Sequence, residues 1–226
     1  MNVLSSVLVQ PKNMAQYISD NPKLSIFSKL LDRFCAPYFD AENTSLYKDL
    51  YTGFSDSIFE KRYFASTGGT TKLPSGANAP NLLSFDPGWN GFNTSSIYAD
   101  MATMIVPTDE AMNNYFNGGV GAILKNEFGS WDNIPDDIII PFLKRHMRNS
   151  FIESVPSRFG KMVDAENYRL PMTKENIDEN YTAVNGHVYV TNTVYPPVDF
   201  ISVYSPVLLS RNAKIFKWAI DIKETS

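Results

Sequence analysis

Apolar residues recur at helical spacing over residues 13–34, where Leu24, Phe27, Leu30, Leu31 and Phe34 define one face. Pro22 stands where a second helix would open, since proline is tolerated in a first turn, and Pro37 is expected to close it. Residues 57–64 read as a strand. The segment 101–106 reads as a buried strand, and it ends in Pro107-Thr108-Asp109-Glu110-Ala111. Thr108 is a good helix N-cap, with Asp109 and Glu110 placed to complement the helix dipole. Met112, Tyr115 and Phe116 would face inward until Gly118-Gly119 stops the helix, and a short helix over 120–128 follows. Asn133-Ile134-Pro135-Asp136-Asp137 is another helix start, leading to Ile138, Ile139, Phe142, Leu143 and His146. Pro141 predicts a kink there, or two short helices.

The last third changes period. Tyr181–Val184, Asn185-Gly186 and His187–Val194 read as a β-hairpin, with Asn-Gly supplying the positive φ values of a type I′ turn. Pro196-Pro197 stops the second strand. Between strand 57–64 and strand 101–106 the pattern disappears. Over residues 65–97, Gly, Pro, Ser, Thr and Asn make up 21 of 33 positions. Such a stretch is a long loop, and Leu82, Leu83, Phe85, Trp89 and Phe92 imply that part of it packs down. Helices come first and a hairpin last, with no alternating β-α pattern to announce a parallel sheet, so the fold class is α+β. Ser25-Ile26-Phe27 is echoed weakly by Lys214-Ile215-Phe216.

Composition narrows function mainly by exclusion. The chain has 226 residues, 43% hydrophobic and 19% charged, which suits a folded core rather than disorder. At about 150 residues per domain the length corresponds to roughly 1.5 domains. Cys35 is the only cysteine, so an internal disulfide framework is excluded. A net charge of −4 does not favour a generic nucleic-acid or anionic-membrane surface. Residues 1–12 carry no secretory signal pattern.

Three segments together resemble the fasciclin domain, an adhesion module of animal, plant and bacterial surface proteins. Residues 102–112 are similar to that family's Thr-x-Phe-x-Pro-Thr-Asp/Asn-x-Ala-Phe box, with Ile105 and Met112 in place of the phenylalanines. Arg145-His146 is similar to its Tyr-His pair, and residues 184–196 to its closing Asn-Gly box. The resemblance spans 13–197 as one domain, interrupted by the 65–97 insertion, with 198–226 as an extension that could lead into a following copy. It implies a wedge of β-strands, sandwich- or roll-like at its core, with several helices packed against it. It also implies structural roles for Pro107, Thr108, Asp109, His146, Asn185 and Gly186. On this reading the segment is one copy from a tandem array on a bacterial surface lipoprotein. Its export signal would then lie outside the segment, and its place would be extracytoplasmic, at the cell surface or outer membrane.

Candidate chemistry is sparse. His146 ends an apolar helix face and reads as a buried residue bonded to backbone; His187 reads as surface or hairpin packing. Two histidines and one cysteine do not make a zinc site, no Gly-x-Ser-x-Gly elbow is present, and Gly68–Lys72 lacks phosphate-loop spacing. Asp132, Asp136 and Asp137 are explained by helix-start chemistry better than by calcium or acid–base work. Lys144, Arg145, Arg148, Arg158, Lys161 and Arg169, offset by Glu153, Asp164 and Glu166, leave +3 and read as a solvated face rather than a polyanion groove. Phe85, Trp89 and Phe92 are the best candidate ligand contacts. No catalytic residue, metal or cofactor is expected. Two functions follow: a non-enzymatic adhesion module with a protein or glycan partner, or a carbohydrate-binding accessory domain of a surface glycan-uptake system.

Overall fold

A computed structural model describes residues 11–88, 100–164 and 166–201. Asn13 opens the first helix through a capping box: its Oδ1 accepts from the Gln16 N–H at 2.8 Å, and Gln16 Oε1 accepts from the Asn13 N–H at 3.0 Å. Helix α1 (Met14–Asp20) passes through a 3-10 turn at Pro22–Leu24 into α2 (Ser25–Asp32). The face formed by Leu24, Phe27, Leu30, Leu31 and Phe34 is buried throughout. At about 1.5–3 kcal/mol for each large apolar side chain, this face is a main source of stability.

Helix α2 ends before Pro37 and for another reason. Residues 35–39 form strand β1 (Cys35–Phe39), antiparallel to β2 (Phe59–Tyr63), with Pro37 opposite Lys61. Proline is tolerated because, among the described residues, β1 has a strand partner on one side only. Helix α3 (Ala41–Leu50) lies between these strands, capped by Asp40, whose carboxylate accepts from the Asn43 N–H at 2.9 Å.

The larger sheet has the order β4-β3-β6-β5, from β3 (Ala102–Pro107), β4 (Met147–Arg148), β5 (Ile177–Ala183) and β6 (Gly186–Thr191). Contrary to the pattern-based expectation, β3 and β6 are parallel, from Ala102 opposite Gly186 to Pro107 opposite Thr191. The connection between them holds several helices rather than one, so no βαβ repeat announces it. Met104, Val106, Val188 and Val190 face the main core, while Ile105 and Tyr189 face a second cluster with Phe159, Met162, Leu170, Met172 and Tyr195. Burial on both faces explains why Met104-Ile105-Val106 of β3 and Val188-Tyr189-Val190 of β6 are apolar without alternation.

Helices α4 (Asp109–Asn117), α5 (Gly121–Phe128) and α6 (Asp136–Arg145) supply much of the main core's other wall. Pro141 does not divide α6. As the sixth residue it removes a single intrahelical bond close to a terminus whose first N–H groups lack intrahelical partners in any case.

The described part of the long loop is tied down. Leu83 N–H donates to Phe64 O at 2.8 Å and Ser66 N–H to Leu83 O at 3.0 Å. Leu83 and Phe85 enter the main core. A mixed α+β architecture is therefore in place. Among the described residues, no helix is long and apolar enough to cross a membrane.

Candidate functional site

Of the residues singled out by the family resemblance, Pro107 ends β3, Thr108 and Asp109 open α4, His146 follows α6, and Asn185 and Gly186 join β5 to β6. Thr108 caps α4, accepting from the Ala111 N–H at 3.2 Å, and its own N–H donates to Thr191 O at 2.9 Å. Asp109 reaches across the molecule to cap α2. Its Oδ1 accepts from the Ile26 N–H at 2.8 Å, and its Oδ2 from the Ser25 hydroxyl at 2.5 Å and N–H at 3.2 Å. A strand end, one helix start and a second helix start are thus joined through two adjacent residues.

His146 is fully buried. Its Nδ1 lies 2.8 Å from Phe142 O, and Nε2 accepts from the Tyr195 N–H at 3.2 Å. Both contacts are met at once by the neutral ring protonated on Nδ1. Burial pushes its pKa down to about 4; the Phe142 carbonyl opposes that shift and the Arg145 charge reinforces it. The ring lies between Phe142 and Tyr195, with Phe27 edge-on. His187 is also buried, in hairpin packing against Phe151 and Tyr189, and burial lowers its pKa.

Asn185 and Gly186 differ from the type I′ expectation. Ala183 pairs with Gly186, so the loop is Val184-Asn185, and neither Asn185 nor Gly186 has a positive φ. The glycine meets a different demand: a Cβ there would lie 2.5 Å from Ala102 O and 2.6 Å from Met14 Sδ. The asparagine is a buried bridge. Its Oδ1 accepts from the Met14 N–H at 2.9 Å and its Nδ2 donates to Pro87 O at 2.9 Å.

Of the candidate ligand contacts, Phe85 is 4% exposed and belongs to the main core, because the hydrogen-bonded return of the loop past Phe64 draws it inward. It offers no exposed platform. Trp89 and Phe92 lie outside the described residues, as does the echo segment near Lys214.

Two surface features were not legible from spacing. One is apolar: Phe39, Leu46, Tyr47, Leu50, Tyr51 and Phe59 are six of the nine exposed large apolar side chains among the described residues. All six lie on β1, α3, β2 and the segments joining them. Tyr47 packs on Tyr51 and Phe54, and Phe39 meets Phe59 edge-on at 6.0 Å. The other feature is a cleft of about 480 Å³ whose lining includes Arg148, Arg158, Lys161, Ser157 and Glu153. Their neighbour in sequence, Arg145, turns inward to a buried ion pair with Asp164 and donates to Arg169 O at 2.8 Å. Asp136 pairs with Arg33 at the start of α6. Among the described residues, no group of three or more His, Cys, Asp or Glu side chains is placed to hold a metal ion.

Comparison with known proteins yields no matching family model, no matching curated protein and no matching solved structure.

Proposed function

We propose that the chain is a non-enzymatic adhesion or interaction module of the fasciclin type, acting outside the cytoplasm at a bacterial cell surface. The observation that carries this reading is the apolar patch on residues 39–59. Leu50 is 63% exposed and Phe59 58%. Large apolar side chains concentrated in one segment and left in water suit an interaction surface. Helix α3 sharpens the argument, since Thr44 is its one buried residue. Its apolar side chains are held outward by a helix that the core does not need.

The fasciclin assignment draws support from the roles of Thr108, Asp109, His146, Asn185 and Gly186. Each engages backbone or tightly packed neighbours. That is the behaviour of motif residues that specify a scaffold. The finer geometry of a fasciclin wedge belongs to the same proposal, as do neighbouring copies in the parent chain.

A bead assay tests the function. Beads coated with the protein are expected to attach to bacterial cells above albumin-coated controls. The double variant Leu50→Ser/Phe59→Ser should cut attachment roughly fivefold or more while leaving the unfolding midpoint unchanged, because hot-spot apolar residues dominate such contacts. Attachment no better than albumin, or undiminished in the double variant, would sink the reading. The tandem-array expectation has its own check: the parent gene should encode an export signal and further Pro-Thr-Asp and Asn-Gly boxes.

A further inference from the structure

The basic stretch from Lys144 to Arg169 is divided by the fold into an inward and an outward part. Arg145 is consumed by Asp164. Arg148, Arg158 and Lys161 gather at the cleft of about 480 Å³, joined by Ser157 and by one carboxylate, Glu153. The cleft is built from rigid parts. Arg148 belongs to β4 and pairs with Thr103 of β3. Arg158 and Lys161 come from the 3-10 turn Pro156–Lys161, which is pinned by Phe159, buried edge-on against Tyr189 at 5.4 Å.

Arg148 shows the cleft's unmet need. The residue is 8% exposed, and among the described residues its buried Nε–H has no hydrogen-bond partner. Its carboxylate contact, to Glu153, is long at 3.4 Å, and Glu153 is itself largely in solvent. Burial pushes the Arg148 guanidinium below its ordinary value, with Glu153 and Asp164 opposing that shift. A largely buried guanidinium whose carboxylate contact is long and solvent-exposed is costly, and an oxyanion is its natural complement. Among the described residues, neither Arg158 nor Lys161 has a carboxylate within ion-pair distance.

We propose that this cleft binds an acidic saccharide, whose carboxylate or sulfate group sits on Arg148, Arg158 and Lys161 while Ser157 and Glu153 meet ring hydroxyls. Size and charge pattern select this class. The volume falls within the ~300–1,000 Å³ of small-ligand pockets, more than a bare inorganic ion fills. Met162 and Val163 are the apolar residues of the lining, so an apolar ligand would desolvate the cations without compensation. Glu153 disfavours a long run of like charge, such as a nucleic acid or an acidic peptide presents, but accepts hydrogen bonds from sugar hydroxyls. The inference rests on neither the fasciclin resemblance nor the apolar patch.

Isothermal titration calorimetry on the whole chain tests it, using a glucuronate-containing disaccharide, its sulfated counterpart, neutral lactose and inorganic sulfate. Saturable binding of at least one acidic disaccharide is expected, weakening as salt rises, with no binding of lactose and weak competition by sulfate. The relative affinity of the two acids identifies the preferred oxyanion. Arg158→Ala/Lys161→Ala removes two exposed cations, so it should leave the unfolding midpoint in place and weaken binding at least tenfold. Arg148→Lys keeps the charge but loses the fork, and should weaken binding by a smaller factor. The proposal is overturned if neither acid binds at millimolar concentration, if lactose binds equally, or if the double variant binds like the parent. Stronger competition by a hexaglutamate peptide than by the disaccharide overturns it in favour of an acidic protein partner.

Discussion

Acidification should destabilise this protein well above the pH at which carboxylates titrate, and His146 is the reason. In the folded chain its pKa is about 4, against 6.5 for an unperturbed histidine. The folded pKa is the lower one, so the unfolded chain takes up a proton that the folded chain refuses. The stabilisation is therefore complete above about pH 6.5 and is lost as pH falls toward 4. A gap of about 2.5 units, at 1.36 kcal/mol each, amounts to about 3 kcal/mol in full, of which about 2 kcal/mol is already gone at pH 5. His187, also lowered by burial, acts with the same sign. A single pH series cannot separate the two, but a variant can. In His146→Asn an amide N–H can still reach Phe142 O, while the titrating group is gone. Urea unfolding at pH 7.5, 6 and 5 should show the parent losing about 2 kcal/mol more than the variant across that range. Equal losses in the two proteins would refute the reasoning. So would a directly measured His146 titration near 6.5.

Two further outcomes follow from the packing. Gly186→Ala forces a methyl group against Ala102 O and Met14 Sδ at 2.5–2.6 Å, so it should lower stability by about 1–3 kcal/mol, read by thermal or urea unfolding. An effect below about 0.5 kcal/mol would mean that the close approach is easily relaxed. Asp164→Ala strands the buried Arg145 guanidinium and should cost about 3–5 kcal/mol, whereas replacing both partners, as in Arg145→Met/Asp164→Ala, should recover part of that loss. A double variant no more stable than Asp164→Ala alone would show that the loop contacts of Asp164, rather than the unpaired charge, dominate.

Periodicity carried the reading wherever a single buried face governs an element. Leu24 through Phe34 and Ile138 through Leu143 fall where their spacing puts them. Local capping chemistry was equally legible at Thr108. Helix α3 escaped because its buried face is little more than Thr44, leaving no apolar period to detect. Asn185-Gly186 misled for a subtler reason. The dipeptide marks the hairpin, but its residues answer to Met14, Pro87 and Ala102, which are remote in sequence. The basic stretch shows the same limit: spacing counts charges, whereas only the fold decides that Arg145 turns inward while Arg148, Arg158 and Lys161 share a cleft. The reach of Asp109 to Ser25 and Ile26 was likewise hidden, because its position in a first turn already seemed to account for it.

The Asn185 bridge also constrains the order of events during synthesis. It joins Met14 across 171 positions of chain and Pro87 across 98. Helix α1 therefore leaves the ribosome long before the group that will hold its first N–H. Strand β3 likewise emerges without its central neighbour, since β6 begins at Gly186. While residues 108–185 are being added the nascent chain carries an open sheet edge with both faces apolar, and closure waits for the last described strand. Such long-range pairing is slow and leaves sticky intermediates. The growing polypeptide should therefore depend on chaperones more heavily than the finished domain's modest size suggests.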